Sequence, residues 1–307
     1  MGMAWQNELK LHLQKLSDFW VERNLDRYQL MEDQEKKAIH RKKAGLRERG
    51  VDILKAEVSG NILGTTVHGS ERTVDYFYRL RLFQKQQDTF FFEDVQTKRR
   101  ATFKEGELIK DSSRAVESSV MDVQDVPTKL PQDEWRMPGK GKGKGKGIIY
   151  DRLAAVKYAD RWWDAYNPKF RAFDVDCTNY VSQCVFAGGG PMNGQYNKHS
   201  GWWYEGNRWS LSWAVAHSFR WYLASEGNRL GAVAVEHPEQ LQPGDVICYD
   251  FEGDGHWDHS TIVTEKDGKG MPLVNAHTTN SRHRYWAYED STAWTQNIKY
   301  KFYHFND

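Results

Sequence analysis

The most informative stretch of the chain is FDVDCTNYVSQCVFAGGG, which runs from residue 173 to residue 190. Its polar start and its closing glycines predict a helix that begins after Asp176 and ends at Gly188. Cys177 is then the first helical residue, where the helix dipole favours the nucleophilic thiolate by about 1 kcal/mol or less. A buried structural thiol is the usual state of a lone cysteine, but the polar neighbours of Cys177 favour a functional one.

A nucleophilic cysteine needs a histidine that accepts its proton and later returns it to the leaving group. His259 is the candidate base, because it starts the apolar stretch HSTIVTE directly after a glycine-rich turn. His256, within that turn, is interpreted as solvated. The order of cysteine, histidine and a polar orienting residue is that of papain-type enzymes. We expect the orienting residue on the next strand, where Asn275 is the first candidate and His277, on the same strand face, is the second.

The segments around this stretch predict helices first and strands later, which indicates an α+β domain. Cys184 and Cys248 lie in apolar surroundings and are expected in the core. Most of a tryptophan cluster is also expected there, with one or two members free to line a ligand groove. The predicted helices are 151–168 and 210–227, the predicted strands are in 242–251, 259–265, 271–279 and 297–305, and the cluster is Trp202, Trp203, Trp209 and Trp213.

The N-terminal part of the chain predicts helices followed by an antiparallel sheet. Apolar residues recur at helical spacing from Trp5 to Trp20, and a charged helix follows over 32–50, whose basic residues we interpret as a solvated face. Strands are predicted at 74–82, 89–94 and 101–110. The stretch PGKGKGKGKG, at 138–147, cannot build a core and is expected to be a flexible linker.

These patterns predict two domains joined by the linker. Residues 1–137 form a small α+β accessory domain of helices plus an antiparallel sheet, and 138–147 form the Gly-Lys linker. Residues 148–307 form the domain that carries the chemistry. The accessory domain shows no catalytic constellation, so we interpret it as a support or as a surface for a protein partner.

Composition excludes several classes of protein. The net charge of +1 gives no indication of a nucleic-acid partner. There is no apolar run of roughly 18 residues, which argues against a membrane span. No secretory signal opens the sequence, so the expected location is the cytoplasm, with non-standard export as the alternative. The 3 cysteines, an odd number, predict free thiols rather than a disulfide framework.

Two kinds of metal site fail on spacing. The stretch DFEGDG begins like a calcium loop, with Asp250, Glu252 and Asp254, but Thr261 stands where the loop needs its closing glutamate. Zinc requires cysteines or histidines paired at short spacing, and the cysteines are not arranged in this way. We therefore predict neither a metal nor a cofactor.

Six motifs together resemble the bacterial putative amidase domain family, over residues from about 149 to about 305. That family is similar to the papain-like cysteine amidohydrolases and peptidases that act on cell walls. The resemblance implies a papain-like α+β fold, Cys177 as nucleophile, His259 as general base and a third polar residue near Asn275. The motifs are DCTNYVSQC, the later WWY, SWAVAHSFRWYL, QPGDVICYDF, DHSTIVT and LVNAHTTN.

The leading interpretation is a cysteine-dependent hydrolase that cleaves an amide or peptide bond through a thioester. Cell-wall peptides are the substrate class that the resemblance suggests. The alternative is a catalytically inactive module that binds a peptide or glycan on the same fold.

Overall fold

A computed structural model of the chain describes residues 4–21, 30–114, 150–194 and 197–306. Contacts divide these residues into two compact units. Unit 1 holds 4–21 and 30–114 together with 267–269 and 279–294, and unit 2 holds the remainder. The segment 138–147 lies outside the described residues, so the predicted linker and domain boundaries stay predictions. The grouping of 279–294 with the N-terminal residues was not expected from the sequence.

Both units combine helices with antiparallel strands, which confirms the predicted α+β class. In chain order the elements are α1 (Ala4–Val21), α2 (Asp33–Arg49), β1 (Val51–His68), β2 (Glu71–Gln86), β3 (Thr89–Lys104), β4 (Glu107–Ser113), α3 (Arg152–Trp162), α4 (Cys177–Ala187), β5 (Tyr204–Glu205), β6 (Arg208–Trp209), α5 (Leu211–Ala214), α6 (Ala216–Leu223), β7 (Ala232–Val235), a 3₁₀ turn (Pro238–Gln240), β8 (Val246–Asp250), β9 (His259–Lys266), β10 (Pro272–Ala276), β11 (Asn280–Tyr285) and β12 (Lys299–Phe305).

Unit 1 is an antiparallel sheet with two helices packed on it. Its strands follow the order β1-β2-β3-β11, and β4 pairs with the second half of β3. Helix α1 buries the apolar stripe that its sequence predicts, including Trp5, Leu9 and Leu16. Helix α2 ends where predicted, because Gly50 takes the left-handed conformation with φ of 71°.

The basic run of α2, which we predicted as a solvated face, is exposed at Arg47 but not at Lys42 and Lys43. The Lys42 and Lys43 side chains are buried. Lys42 donates hydrogen bonds to Glu93 and, over 2.8 Å, to Asp290, while Lys43 donates to the Phe19 carbonyl oxygen. A buried ammonium must be paired, and these acceptors come from strand β3, helix α1 and a loop, all outside α2. Local charge pattern alone therefore gave the wrong interpretation of these two lysines.

A second buried polar cluster surrounds Asp111 of β4. Its carboxylate accepts hydrogen bonds from Tyr76 at 3.0 Å and from Arg99 at 2.9 Å, and it lies 2.8 Å from His12 Nε2. Burial acts to raise the pKa of Asp111, but the His12 hydrogen bond and the Arg99 charge outweigh it and hold the pKa below its ordinary value. The cluster joins α1 to three strands of unit 1.

Unit 2 packs helices on an antiparallel sheet of order β10-β9-β8-β12-β7. Helix α4 lies against α3 and against β9 and β10, at the centre of the apolar core. Four of these strands, β8, β9, β10 and β12, confirm the sequence patterns. The predicted helix over 210–227 is instead two short helices, because Val215 between α5 and α6 is extended, with φ of −116° and ψ of 120°.

Tryptophans of this core are anchored at their polar atoms as well as buried. The Trp213 indole N–H donates to Asn179 Oδ1 at 2.8 Å, and the Trp202 indole N–H donates to Ser182 Oγ at 2.9 Å. Burial of each such ring contributes on the order of 2–3 kcal/mol. Both acceptors lie on α4, so these contacts fix the helix that begins at Cys177. Among the described residues, none of the helices has both the length and the apolar character needed to cross a membrane.

Candidate active site

Helix α4 begins at Cys177, with Asp176 as its N-cap residue, as the sequence predicts. The Cys177 side chain is buried, with 2% of the residue exposed, and its Sγ lies 3.8 Å from Thr178 Oγ1. Thr178 Oγ1 lies 3.2 Å from Ser260 Oγ. The first turn of α4 is therefore tied to the start of strand β9.

Asp176 anchors this first turn through its side chain, although it does not cap the helix with it. Its Oδ1 accepts from the Phe173 backbone N–H at 2.9 Å and from the Asn179 amide at 2.8 Å. Its Oδ2 lies 2.7 Å from His277 Nδ1, and His277 Nε2 lies 2.7 Å from the Trp162 carbonyl oxygen. Since a carbonyl oxygen can only accept, Nε2 donates to Trp162, and Nδ1 faces the Asp176 carboxylate. Both residues are thereby locked in place.

The Cys177 thiol is not held as a thiolate by its surroundings. Burial raises its pKa above the ordinary value, and the charge of Asp176 acts in the same direction. Hydrogen bonds from the Ser260 backbone N–H and from Thr178 oppose this shift without reversing it. The prediction that Cys177 is held as a thiolate is therefore wrong. The helix dipole stabilises the thiolate by only about 1 kcal/mol or less, and burial outweighs it. These surroundings therefore favour the neutral thiol.

The structure brings Ser260, the residue after His259, to Cys177. His259 is the first residue of β9 and is buried, and the next residue, Ser260, directs its backbone N–H to the Cys177 sulfur. The His259 ring centroid lies 5.7 Å from that of Tyr249 and 6.1 Å from that of Phe251. The start of β9 therefore lies against the first turn of α4, and the pairing of the His259 ring with the Cys177 sulfur stays a prediction.

Asn275 of β10 is engaged in a different direction. Its Oδ1 accepts from Thr264 Oγ1 at 2.8 Å, and its amide donates to Asp160 at 3.0 Å. It pairs across the sheet with Ile262, which is three residues beyond His259, or roughly 10 Å along the strand. These contacts favour a structural role for Asn275 over the orienting role that we predicted from the sequence.

His277, the second candidate for the orienting residue, also has a structural place. Besides its two bonds to Asp176 and Trp162, its ring stacks on Tyr180 with centroids 4.0 Å apart. Both ring nitrogens of His277 are thus engaged by Asp176 and Trp162, so His277 does not orient the His259 ring through them. We find in His277 a residue that positions the first turn of α4.

A groove of about 620 Å³ opens at Cys177, within the size range of small-ligand sites. Of the four clustered tryptophans, Trp209 lines this groove, while Trp202, Trp203 and Trp213 are in the interior. Both outcomes agree with the sequence prediction. The groove is lined by Arg171, Ala172, Phe173, Asp174, Val175, Cys177, Lys198, Trp209, Leu211, Ala214, Val215, Ala216, His256, Trp257 and Asp258.

His256 shares the groove with Cys177. Its side chain is exposed, as predicted, with a relative accessibility of 67%. Its Nδ1 lies 3.3 Å from Asp258 Oδ1, and its ring stacks on His217 with centroids 4.8 Å apart. A histidine beside a carboxylate in the groove is a second possible base, which the sequence did not distinguish from a surface residue.

The other two cysteines belong to the core, as predicted. Cys184 and Cys248 are both buried and free. Burial raises the pKa of Cys184 well above its usual value and that of Cys248 to about 12. Neither thiol is primed for reaction at neutral pH.

Three acidic residues in unit 2 stand close enough to share a cation. Oxygens of Asp250, Glu252 and Asp258 all lie within 4.8 Å of one another. Asp250 already accepts hydrogen bonds from the backbone N–H groups of Gly253 and Gly255, at 2.7 and 2.8 Å. This carboxylate is satisfied by its own loop, so the arrangement gives no further indication of a metal.

Sequence analysis missed three features of the site. The Ser260 backbone N–H carries no side-chain signal at all. The Asp176–His277 pair joins residues that are about a hundred positions apart, and the motif DCT hinted only at a cap. Arg171 was overlooked because it stands between Phe170 and Ala172, in a stretch with no recognisable motif.

The chain is similar to one protein family and to two Bacillus proteins. The family described as putative amidase domain matches residues 149–303. The uncharacterized protein YhbB of Bacillus subtilis (strain 168) is 42% identical over 283 residues, which cover 88% of this chain and 86% of that protein. The uncharacterized protein YjcM of the same organism is 30% identical over 139 residues, which cover 43% of this chain and 31% of that protein. No solved structure matches the chain.

Proposed function

Because the chain belongs to the putative amidase domain family, we propose that it hydrolyses an amide bond with Cys177 as the nucleophile. The family description indicates amide hydrolysis in general terms, and the cysteine mechanism is our inference. One observation supports the cysteine mechanism most strongly. Cys177 is the single cysteine that both begins a helix and lines a groove, among the described residues.

The proposed reaction begins with a neutral thiol. His259 accepts the Sγ proton as the sulfur attacks the amide carbon, so a C–S bond forms while the carbonyl becomes an oxyanion. His259 then gives the proton to the leaving nitrogen, the C–N bond breaks, and a thioester remains on Cys177. Water, deprotonated by His259, hydrolyses the thioester and restores the thiol. A raised thiol pKa suits this order, because the proton moves only when substrate is present.

The oxyanion is stabilised by backbone N–H groups at the start of α4. The first N–H groups of a helix have no partner within the helix, and they carry its positive end. The Cys177 N–H is one of them, and the predicted contribution of this group to an oxyanion hole rests on that position. The hydrogen bonds of Asp176 hold this turn in a fixed orientation.

Two histidines, His259 and His256, are candidates for the general base. His259 is supported by the Ser260 backbone contact with the sulfur and by its place in the motif DHSTIVT. His256 is supported by its place in the groove. Substituting each by glutamine separates them: we expect His259→Gln to lower turnover at least about a thousandfold and His256→Gln to lower it less than about tenfold.

The proposed substrate class is a peptide, with cell-wall peptides as the first to test. Two pools, one of bacterial wall peptides and one of cytosolic peptides, are digested with the wild type and with Cys177→Ala. New amino termini and new carboxyl termini are then identified by mass spectrometry. Cys184→Ala is the matched control, because it removes a buried thiol without touching the groove. If Cys177→Ala cleaves the peptides as fast as the wild type does, the proposal is contradicted.

One observation favours a second function. Cys177 is buried and its pKa is raised, which also suits an inactive module that binds a peptide or glycan in the groove. That module would retain peptides in the groove with the wild type and with Cys177→Ala alike, and it would cleave none of them. Turnover in the digest therefore separates the two functions.

A further inference from the structure

Unit 2 has a second groove of about 630 Å³, a volume within the range of small-ligand sites. No aspartate, glutamate, lysine or arginine is among its described lining residues. Hydroxyl, amide and imidazole side chains line it instead, beside an exposed tryptophan. A lining of this kind suits an uncharged ligand better than an ion, because an ion would lose water without gaining a counter-charge. The lining includes Asn193, His199, Ser200, His217, Ser218 and Trp221.

Trp221 gives the second groove a flat apolar surface. It is 53% exposed, and no other tryptophan in the described part of the chain is as exposed. Its indole N–H donates to His217 Nε2 at 3.1 Å, and the Arg220 guanidinium carbon lies 3.9 Å from the ring centroid. Arg220 covers one face of the ring, so the exposed surface includes the other face. Because these contacts fix the ring, a ligand that packs on it orders little that is not already ordered.

Three polar side chains of the second groove are available to a ligand. The Ser200 and Ser218 hydroxyls and the His199 imidazole make no hydrogen bond to the residues that the structure describes. A hydroxyl both donates and accepts, and a neutral imidazole offers one donor and one acceptor. These groups therefore match a ligand whose own groups also donate and accept, as alcohol hydroxyls do.

The backbone of the second groove is already paired, which argues against a peptide that is held as an added strand. Asn193 and Trp202 exchange two backbone hydrogen bonds, each of 3.0 Å. The Leu211 backbone N–H donates to the Lys198 carbonyl oxygen at 2.8 Å. Extended peptides are bound mainly through free backbone groups of this kind. Recognition in the second groove therefore falls to side chains.

The second groove adjoins the groove at Cys177. Leu211 lines both of them. The ring of His217, in the second groove, stacks on the ring of His256, in the Cys177 groove, with centroids 4.8 Å apart. A ligand in the second groove therefore lies next to the site of the nucleophile.

We propose that the second groove binds an uncharged saccharide, one ring of which stacks on Trp221. The C–H groups of a sugar ring form an apolar face that packs on an aromatic face, and the hydroxyls lie around its edge. Ser200, Ser218 and His199 then form hydrogen bonds with these hydroxyls. This inference goes beyond the proposed function, because sugar binding does not require Cys177 to react.

Isothermal titration calorimetry with the full-length Cys177→Ala protein tests this proposal without cleavage. The probes are cellotetraose and N-acetylchitotetraose, which are uncharged, and tetragalacturonate, which carries a carboxylate on every ring. N-acetylated tetraserine amide is the peptide probe. We expect at least one uncharged tetrasaccharide to bind with a dissociation constant of about 1 mM or lower. Tetragalacturonate should bind at least about tenfold more weakly than that sugar, because the lining offers its carboxylates no cation.

Substitutions at Trp221 show whether its ring is responsible. Trp221→Ala should weaken sugar binding at least about tenfold, and Trp221→Phe, which keeps a flat ring, less than about threefold. Phe90→Ala, which removes an exposed ring of unit 1, is the matched control and should leave binding unchanged. If circular dichroism shows Trp221→Ala to be unfolded, Ser218→Ala replaces it, with an expected loss of at least about threefold.

Three results overturn the proposal. The first is that neither uncharged tetrasaccharide binds. The second is that sugar binding is unchanged in Trp221→Ala and in Ser218→Ala. The third is that the tetraserine probe binds through Trp221 while the sugars do not, which identifies a peptide groove.

The wild-type protein separates this inference from the proposed function. If it binds an uncharged tetrasaccharide through Trp221 and cleaves neither the wall peptides nor the cytosolic peptides, the sugar site is supported and the hydrolase is contradicted. If it cleaves peptides but binds no tetrasaccharide, the hydrolase is supported and the sugar site is overturned.

Discussion

Replacing His277 by glutamine tests whether the Asp176–His277 pair holds the catalytic turn. Both ring nitrogens of His277 lie 2.7 Å from an oxygen acceptor, and the side chains of the pair are almost fully buried. Glutamine cannot reach both acceptors in this geometry. Each charge-assisted bond is worth about 1.5–3 kcal/mol, and breaking a buried pair costs about 3–5 kcal/mol. We therefore expect the free energy of unfolding to fall by about 3–5 kcal/mol.

Urea unfolding monitored by tryptophan fluorescence measures this loss, with His68→Gln as the control. His68 is exposed at the end of β1, and its substitution should change the free energy of unfolding by less than about 0.5 kcal/mol. A positioning role predicts a second effect that stability alone does not: at temperatures where His277→Gln remains folded, the alkylation rate of Cys177 should differ from that of the wild type. A loss below about 1 kcal/mol, with unchanged alkylation, would refute the reasoning.

Three further predictions follow from other contacts. Asp111→Asn removes one of the two carboxylates that pair with the buried Arg99, and Glu35 remains as the other; stability should fall by about 1.5–3 kcal/mol in urea titrations. Because the pKa of Asp111 is depressed on folding, its contribution is present above its unfolded pKa of about 3.9 and is lost as pH falls through the lower folded pKa, so acid titration of wild type and variant should converge there. Alkylation of Cys177 by iodoacetamide should follow a pKa above that of an exposed cysteine, and a profile with half-maximal rate below pH 8 would contradict the burial argument. Asn275→Ala should lower stability by about 1–3 kcal/mol through its lost bond to Asp160, with turnover changed less than about tenfold; a thousandfold loss in a folded variant would restore its orienting role.

Much of the core of unit 2 could be predicted because its pattern is local. The helix that begins at Cys177 follows from a polar cap, an apolar stripe and a glycine stop, all within one short stretch. Strands β8, β9 and β12 follow from apolar residues bounded by turns. Such signals depend on neighbours in the sequence, so no tertiary information was needed.

Strand β1 shows where this approach fails. It pairs along the whole length of β2, yet most of its residues are exposed on both faces and it contains Gly60 and Gly64. An edge strand with little burial has no strict alternation, so the period-two signal is weak. Segment 279–294 fails for a related reason: its place in unit 1 depends on partners such as Lys42 and Arg41, which lie far away in the sequence.

The sequence led us to expect Cys177 and His259 as the catalytic pair, and their roles stay predictions. The structure directs the backbone N–H of Ser260, the residue after His259, to the Cys177 sulfur. The sequence could not tell that Asn275 and His277 hold helices in place, because hydrogen bonds to Asp160 and Asp176 are set by tertiary packing. It also misjudged the thiol, since burial was not visible and it outweighs the helix dipole.

Single-turnover hydrolysis of the peptide pools by wild type, Cys177→Ala, His259→Gln and His256→Gln tests the central claim most directly. We expect the wild type to form a covalent acyl adduct on the peptide that contains Cys177, detected by mass spectrometry after acid quenching. We expect no adduct with Cys177→Ala, at least about a thousandfold slower formation with His259→Gln, and near-normal formation with His256→Gln. Peptide cleavage that proceeds in Cys177→Ala, without any adduct in the wild type, would contradict the central claim.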